Sequence, residues 1–199
     1  MNDQQLLEEL VKIFSEAEND QIISKDVIRS FMESNDLEIL GALSSFLDKQ
    51  KYYQQIKPPL TFDEWHQFNL KYFKKCLLED RKGEWSESRY EAGWAFTRLF
   101  SALFNDPTVP KAAISDLKHL VEELYESGDT KLRTALIDAI LEHLFQEAEI
   151  REFFFDWKTN PLLQSAYDES VEIAKTMPKL SFPSSPLTNN QTKKGNENL

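Results

Sequence analysis

Apolar residues recur at three- and four-residue spacing along nearly the whole chain, the period of an α-helix rather than of a strand. Leu6, Leu7, Leu10, Val11 and Phe14 line one face of a first helix, which Asp3 can cap and which fades at Asn19-Asp20. Ser24 begins the next, where Val27, Ile28 and Phe31 share a face. Asp36 caps a longer stretch carrying Leu37, Leu40, Leu43, Phe46 and Leu47 toward Ile56, and Pro58-Pro59 stops it. Thr61 and Glu64 read as a capping box ahead of Phe62, Trp65, Asn69, Phe73 and Cys76, and Lys82-Gly83 ends that run.

From Ser86 the pattern wraps Tyr90, Trp94, Phe96, Leu99, Phe100 and Leu103 around more than half a helix, which predicts an element deep in the fold. Asn105-Asp106-Pro107 breaks it. Ile114, Leu117, Leu120, Val121 and Leu124 form the following stripe, with Gly128 expected to end it at positive φ. Asp129 caps Thr130 to Phe145, whose Leu132, Leu136, Ile137, Ile140, Leu141 and Leu144 leave so little polar face that it reads as the central helix. Glu149 to Trp157 carries Phe153-Phe154-Phe155, and Pro161 suits the first position of a last helix presenting Leu162, Leu163, Ala166, Tyr167 and Val171. The pattern therefore predicts an all-α domain over residues 1–177, of about eight or nine helices, with stacked α-hairpins an option near Ile114 to Leu144. Residues 178–199, rich in Pro, Ser, Asn and Thr, predict a disordered tail.

Composition agrees with a packed core, because 41% of the 199 residues are hydrophobic and only 5 are glycine. The net charge of -11 is uneven: Lys179, Lys193 and Lys194 against Glu197 give the tail +2, leaving -13 on residues 1–177. So negative a body repels phosphate backbones and anionic lipids within a Debye length of ~8 Å, so nucleic acid and membranes are disfavoured as partners and a basic protein is favoured. Cys76 is the only cysteine, and no basic start, apolar stretch and cleavage site combine at the N-terminus, so the expected compartment is the cytoplasm. No pattern in the chain sets an oligomeric state.

The chemistry-bearing residues are few. Asp63 with His66, and Asp116 with His119, each put a carboxylate and an imidazole on one helical face, the offset used in metal-binding bundles; a metal-dependent enzyme on these four is the alternative function. His143 falls on an apolar stripe and is expected to point inward, and Cys76 shares a face with Trp65 and Phe73 as a buried thiol. There is no glycine-rich phosphate loop, nucleophile elbow or paired-cysteine motif, so no cofactor is expected and catalysis is the lesser expectation. Trp85 to Phe104 holds more large apolar side chains than one core usually absorbs, which marks Trp85, Arg89, Tyr90, Trp94 and Arg98 as candidate partner-binding residues, with a large aromatic core the equal alternative. Arg89 and Arg98, with Glu91 between them, read as a buried ion-pair set ahead of a recognition cluster. A helical-repeat scaffold with several partners is a further alternative.

The C-terminal half reads GDTKLRTALIDAILEHL, then REFFFDW and NPLLQSAYDE. Its Gly128-Asp129 turn, its apolar helix ending in Leu141, Glu142 and Leu144, and the later Trp157, Pro161, Leu162 and Tyr167 resemble a family of small, uncharacterised bacterial α-helical proteins. The likeness covers about one third of the chain, does not reach residues 1–82, and brings no catalytic residues. It implies an immunity-type inhibitor that neutralises a toxin, and the acidic charge is compatible with masking a basic toxin domain.

Overall fold

The computed structural model describes residues 3–178, and in it nearly every apolar stripe of the sequence is a helix. The fold is all-α apart from one two-residue ladder. The chain groups into two compact units, Met1–Ala92 and Gly93–Leu199, and the tail expected beyond Pro178 lies outside the described residues.

In the first unit, α1 (Asp3–Glu18), α2 (Lys25–Met32), α4 (Gln50–Gln55) and α5 (Phe62–Glu79) all pack on α3 (Leu37–Leu47) or on one another. The α3 helix is the centre because eight of its eleven residues are buried, which leaves it almost no polar face. Its start is set locally: the Asp36 carboxylate accepts from the amides of Glu38 and Ile39, two donors that the helix itself leaves unpaired. Phe14 stacks on Phe46 at 4.8 Å, and Phe46 on Tyr52 at 5.0 Å. The capping box of Thr61 and Glu64 forms as expected at the start of α5.

The single stretch expected from Asp36 to Ile56 is broken at Asp48-Lys49, where Lys49 turns extended and α4 begins. The break brings Ile56-Lys57 alongside Ile23-Ser24 as a parallel pair of strands, β1 and β2, too short for any periodicity to announce. Asp80 ends α5 in the left-handed region (φ 48°), and the loop after it is pinned to α3. The Glu38 carboxylate takes the amides of Trp85 (2.9 Å) and Ser86 (3.2 Å) and the Ser86 hydroxyl. Pinning 85–86 delays the next helix, so α6 (Arg89–Phe104) begins three residues later than the apolar spacing predicts.

The second unit continues through α7 (Lys111–Ser127), α8 (Thr130–Leu136), a π turn (Ile137–Leu141), α9 (Glu142–Leu144), α10 (Ala148–Phe153), a 3-10 turn (Phe155–Thr159) and α11 (Pro161–Thr176). Asp129 caps α8, and Asn160 with Pro161 opens α11, as their sequence positions imply. Gly128 departs from expectation: its φ is -75°, because the chain passes straight from α7 into the Asp129 cap with no left-handed turn. A glycine is still required, since a Cβ would lie 2.5 Å from the Leu124 carbonyl oxygen. The core is aromatic, with Phe154 against Trp157 (5.1 Å), Phe145 (5.4 Å) and Phe100 (5.8 Å). Lys118 is buried within it: its ammonium donates to the Phe153 carbonyl and to Asp156 and stands 5.1 Å from the Phe153 ring. Among the described residues no helix is long and apolar enough to cross a membrane.

Candidate functional site

The five residues singled out around α6 separate into two groups. Trp85 and Arg89 are structural. The Trp85 ring meets Phe14 edge-on at 5.9 Å while its amide is held by Glu38. Arg89 is buried and donates to the last carbonyls of α5, Leu77 at 2.6 Å and Leu78 at 3.2 Å, with Asp80 3.5 Å away. A guanidinium at a helix C-terminus satisfies carbonyls that no further turn can reach and complements the negative end of the helix dipole. Ser88 and Glu91 then start α6 by exchange: the Ser88 amide donates to Glu91 at 3.0 Å and the Glu91 amide to the Ser88 hydroxyl at 3.4 Å. Lys82 and the Ser88 bonds hold the Glu91 carboxyl down at about 2.

Tyr90, Trp94 and Arg98 form the other group. Steps of four along a helix keep them on one strip, and all three are exposed, Tyr90 by 43% and Trp94 by 50%. The expectation that Tyr90 and Trp94 lie deep is corrected here. Ala92, Phe96, Phe100 and Leu103 fill the buried side of the same helix. A large aromatic set around more than half the circumference exceeds what one side of a helix can bury, and the surplus emerges as a narrow stripe ending in a guanidinium. That stripe can stack on an apolar or cationic side chain of a partner through Trp94, and Arg98 can pair with a carboxylate or lie on a ring. No family model, curated protein or solved structure matches the chain, so its chemistry is read from its own geometry.

The two Asp/His pairs lie in different units. In the first, His66 is buried (2% exposed) and stacked on Phe62 at 5.7 Å, whereas Asp63 is exposed on the first turn of α5. In the second, His119 is exposed and its Nδ1 lies 3.6 Å from Glu122. Among the described residues no group of three or more His, Cys, Asp or Glu is arranged to hold a metal ion. Cys76 is buried as expected, and burial pushes its thiol up to about 12, which leaves almost no thiolate near neutral pH.

Sequence reasoning passed over Glu142. It is buried (9% exposed) beside His143, whose Nε2 is 3.4 Å from its carboxyl, at the end of the π turn. Burial, with the Asp138 charge added, raises the Glu142 carboxyl to about 7, and burial lowers His143. The available signal was a charged residue in an otherwise apolar run, four positions after another carboxylate.

Proposed function

We propose that the chain is a non-catalytic protein-binding module that uses α6 as its contact helix and takes a basic protein as its partner. The observation that carries the reading is the half-exposed Trp94 on a helix whose other side is core, with the exposed Tyr90 and Arg98 one turn to either side. Tryptophan, tyrosine and arginine are the residue types that most often dominate binding energy at interfaces. The net charge of -11 favours encounter with a basic surface and sets the rate of association more than its final strength. Within this class, the likeness of the C-terminal half to small bacterial proteins supports an immunity-type inhibitor of a basic toxin domain, acting in the cytoplasm by masking it.

The product of the adjacent open reading frame, where it is basic and toxin-like, is the partner to titrate, by calorimetry and at two salt concentrations. Trp94→Ala is expected to weaken binding by at least about 2 kcal/mol, roughly thirtyfold, and Arg98→Ala by less. Folded Trp94→Ala and Arg98→Ala variants that bind as tightly as the parent would remove α6 from the contact.

A further inference from the structure

The π turn lies against the inward face of α6, directly behind the exposed stripe. Gly93 comes so close that a Cβ there would stand 2.6 Å from the Ala139 Cβ, and the Thr97 hydroxyl donates to the Ala139 carbonyl at 3.0 Å. Trp94 and Arg98 immediately follow those two residues and face outward, so the turn backs the part of α6 that carries them. The amide of Glu142 closes the widened turn by donating to Ile137, and the same residue buries its carboxyl one turn from Asp138. Single π turns are rare in helices and recur at functional positions, because the extra residue costs stability unless something retains it.

We propose that the π turn is a proton-operated element: with a proton on the Glu142 carboxyl the turn holds α6 in place, and loss of that proton loosens the turn and weakens the stripe's grip on its partner. The regulation rests on the reading of α6 as the contact helix. Of these two neighbours, Glu142 is the one whose charge changes near neutral pH, because burial and the Asp138 charge raise it to about 7 while burial lowers His143. A folded-state value above the unfolded one means that the stabilisation is complete below the ordinary carboxylate value, ~4.3, and is lost as pH rises through the raised one.

Among the described residues the partner facing an ionised Glu142 is the His143 imidazole, its Nε2 3.4 Å away and disfavoured by burial from taking a charge. Packed against the turn, α11 points Ala166, Tyr167, Ser170 and Ala174 inward and leaves Asp168, Glu169, Glu172 and Lys175 exposed. On α8, Lys131 is exposed and Arg133 is engaged with the carbonyls of Tyr125 and Glu126. From α6 the turn meets Gly93 and Thr97, which carry no charge. Among the described residues, the charged group acting on Glu142 is Asp138, of the same sign. Opening of the turn to water relieves that repulsion.

Two resonances of the chain alone decide the matter. Carbon-13 carboxyl shifts follow Glu142, and fluorine-19 spectra of the 5-fluorotryptophan-labelled protein, assigned with Trp94→Phe, follow the stripe. Both are expected to step with a common midpoint near 7. Glu142→Gln should abolish the Trp94 step, and Asp138→Asn, the milder change, should move both midpoints down together. A Glu142 that titrates like an exposed carboxylate, or a Trp94 signal indifferent to its titration, would overturn the proposal whether or not a partner is found. With partner in hand, affinity should fall roughly tenfold from pH 6 to pH 8. A constant affinity through Trp94, while both resonances titrate, would sink the regulation and leave the binding function standing.

Discussion

Gly41→Ala tests the packing of the first unit through its sign. In a solvent-exposed helix interior the change would favour folding by about 1 kcal/mol, because glycine gives up more backbone entropy than alanine. At this position the new Cβ would lie 2.2 Å from the Trp85 carbonyl oxygen, 2.7 Å from its carbonyl carbon and 3.1 Å from the Ser86 nitrogen. These are backbone atoms and cannot rotate away, and carbon atoms pack at about 3.5–4.0 Å, so the loop must retreat by more than about 1 Å. Retreat opens the bonds from the Trp85 and Ser86 amides to Glu38. Hydrogen bonds to a charged group are worth about 1.5–3 kcal/mol each, so losing two outweighs the helix gain and leaves a net cost of about 2–5 kcal/mol.

Urea unfolding followed by circular dichroism reads this directly. With a slope of about 1–3 kcal/mol per molar, the midpoint should fall by roughly 1–2 M. In a Glu38→Gln background the cost of Gly41→Ala should shrink, because the bonds it breaks are already weakened. Burial pushes the Glu38 carboxyl up, but the Ser86 hydroxyl and the Trp85 and Ser86 amides outweigh it and leave the group below its ordinary value. Its stabilisation is therefore present above the ordinary carboxylate value and lost as pH falls through the lowered one, so the parent and Glu38→Gln should converge in acid. A Gly41→Ala midpoint equal to or above that of the parent would refute the reasoning.

Two other substitutions and one reagent test the rest. Lys118→Ala should cost about 1–3 kcal/mol, because it removes a buried ammonium from the Phe153 carbonyl and two rings, whereas Asp156→Ala should cost less than about 1 kcal/mol, its carboxylate being 66% exposed; equal costs in thermal unfolding would contradict the asymmetry. Cys76 should resist iodoacetamide at pH 8 in the native protein and react in urea, as mass spectrometry can show, and rapid native alkylation would mean that the thiol is neither buried nor raised.

Some features of α6 and its neighbours were legible and others were not, for reasons that differ by residue. Arg89 and Arg98 are the same amino acid on the same helix, yet one is wedged beneath the last carbonyls of α5 and the other is in solvent. Periodicity placed both on a helix but carries no information on what each meets. Trp94 and Phe96 are both large aromatics on one apolar pattern, so that pattern assigned both to the core, although one helix side has room for only some of the rings. Glu142 was passed over because its importance lies in burial, and a carboxylate in a sequence is exposed by default.

By itself, the sequence determined the helices and where most of them start, because those signals act over one turn: Asp36 on Glu38 and Ile39, Thr61 on Glu64, Asp129 on Leu132, Asn160 on Leu162. A cap and its donor are neighbours in the chain, so their pairing survives whatever the rest of the protein does. Tertiary structure alone decided the break after Asp48, the late start of α6, the outward face of Trp94 and the π turn behind it. Each depends on groups far apart in the chain, such as Glu38 with Ser86 or Thr97 with Ala139, which meet only once the helices have packed.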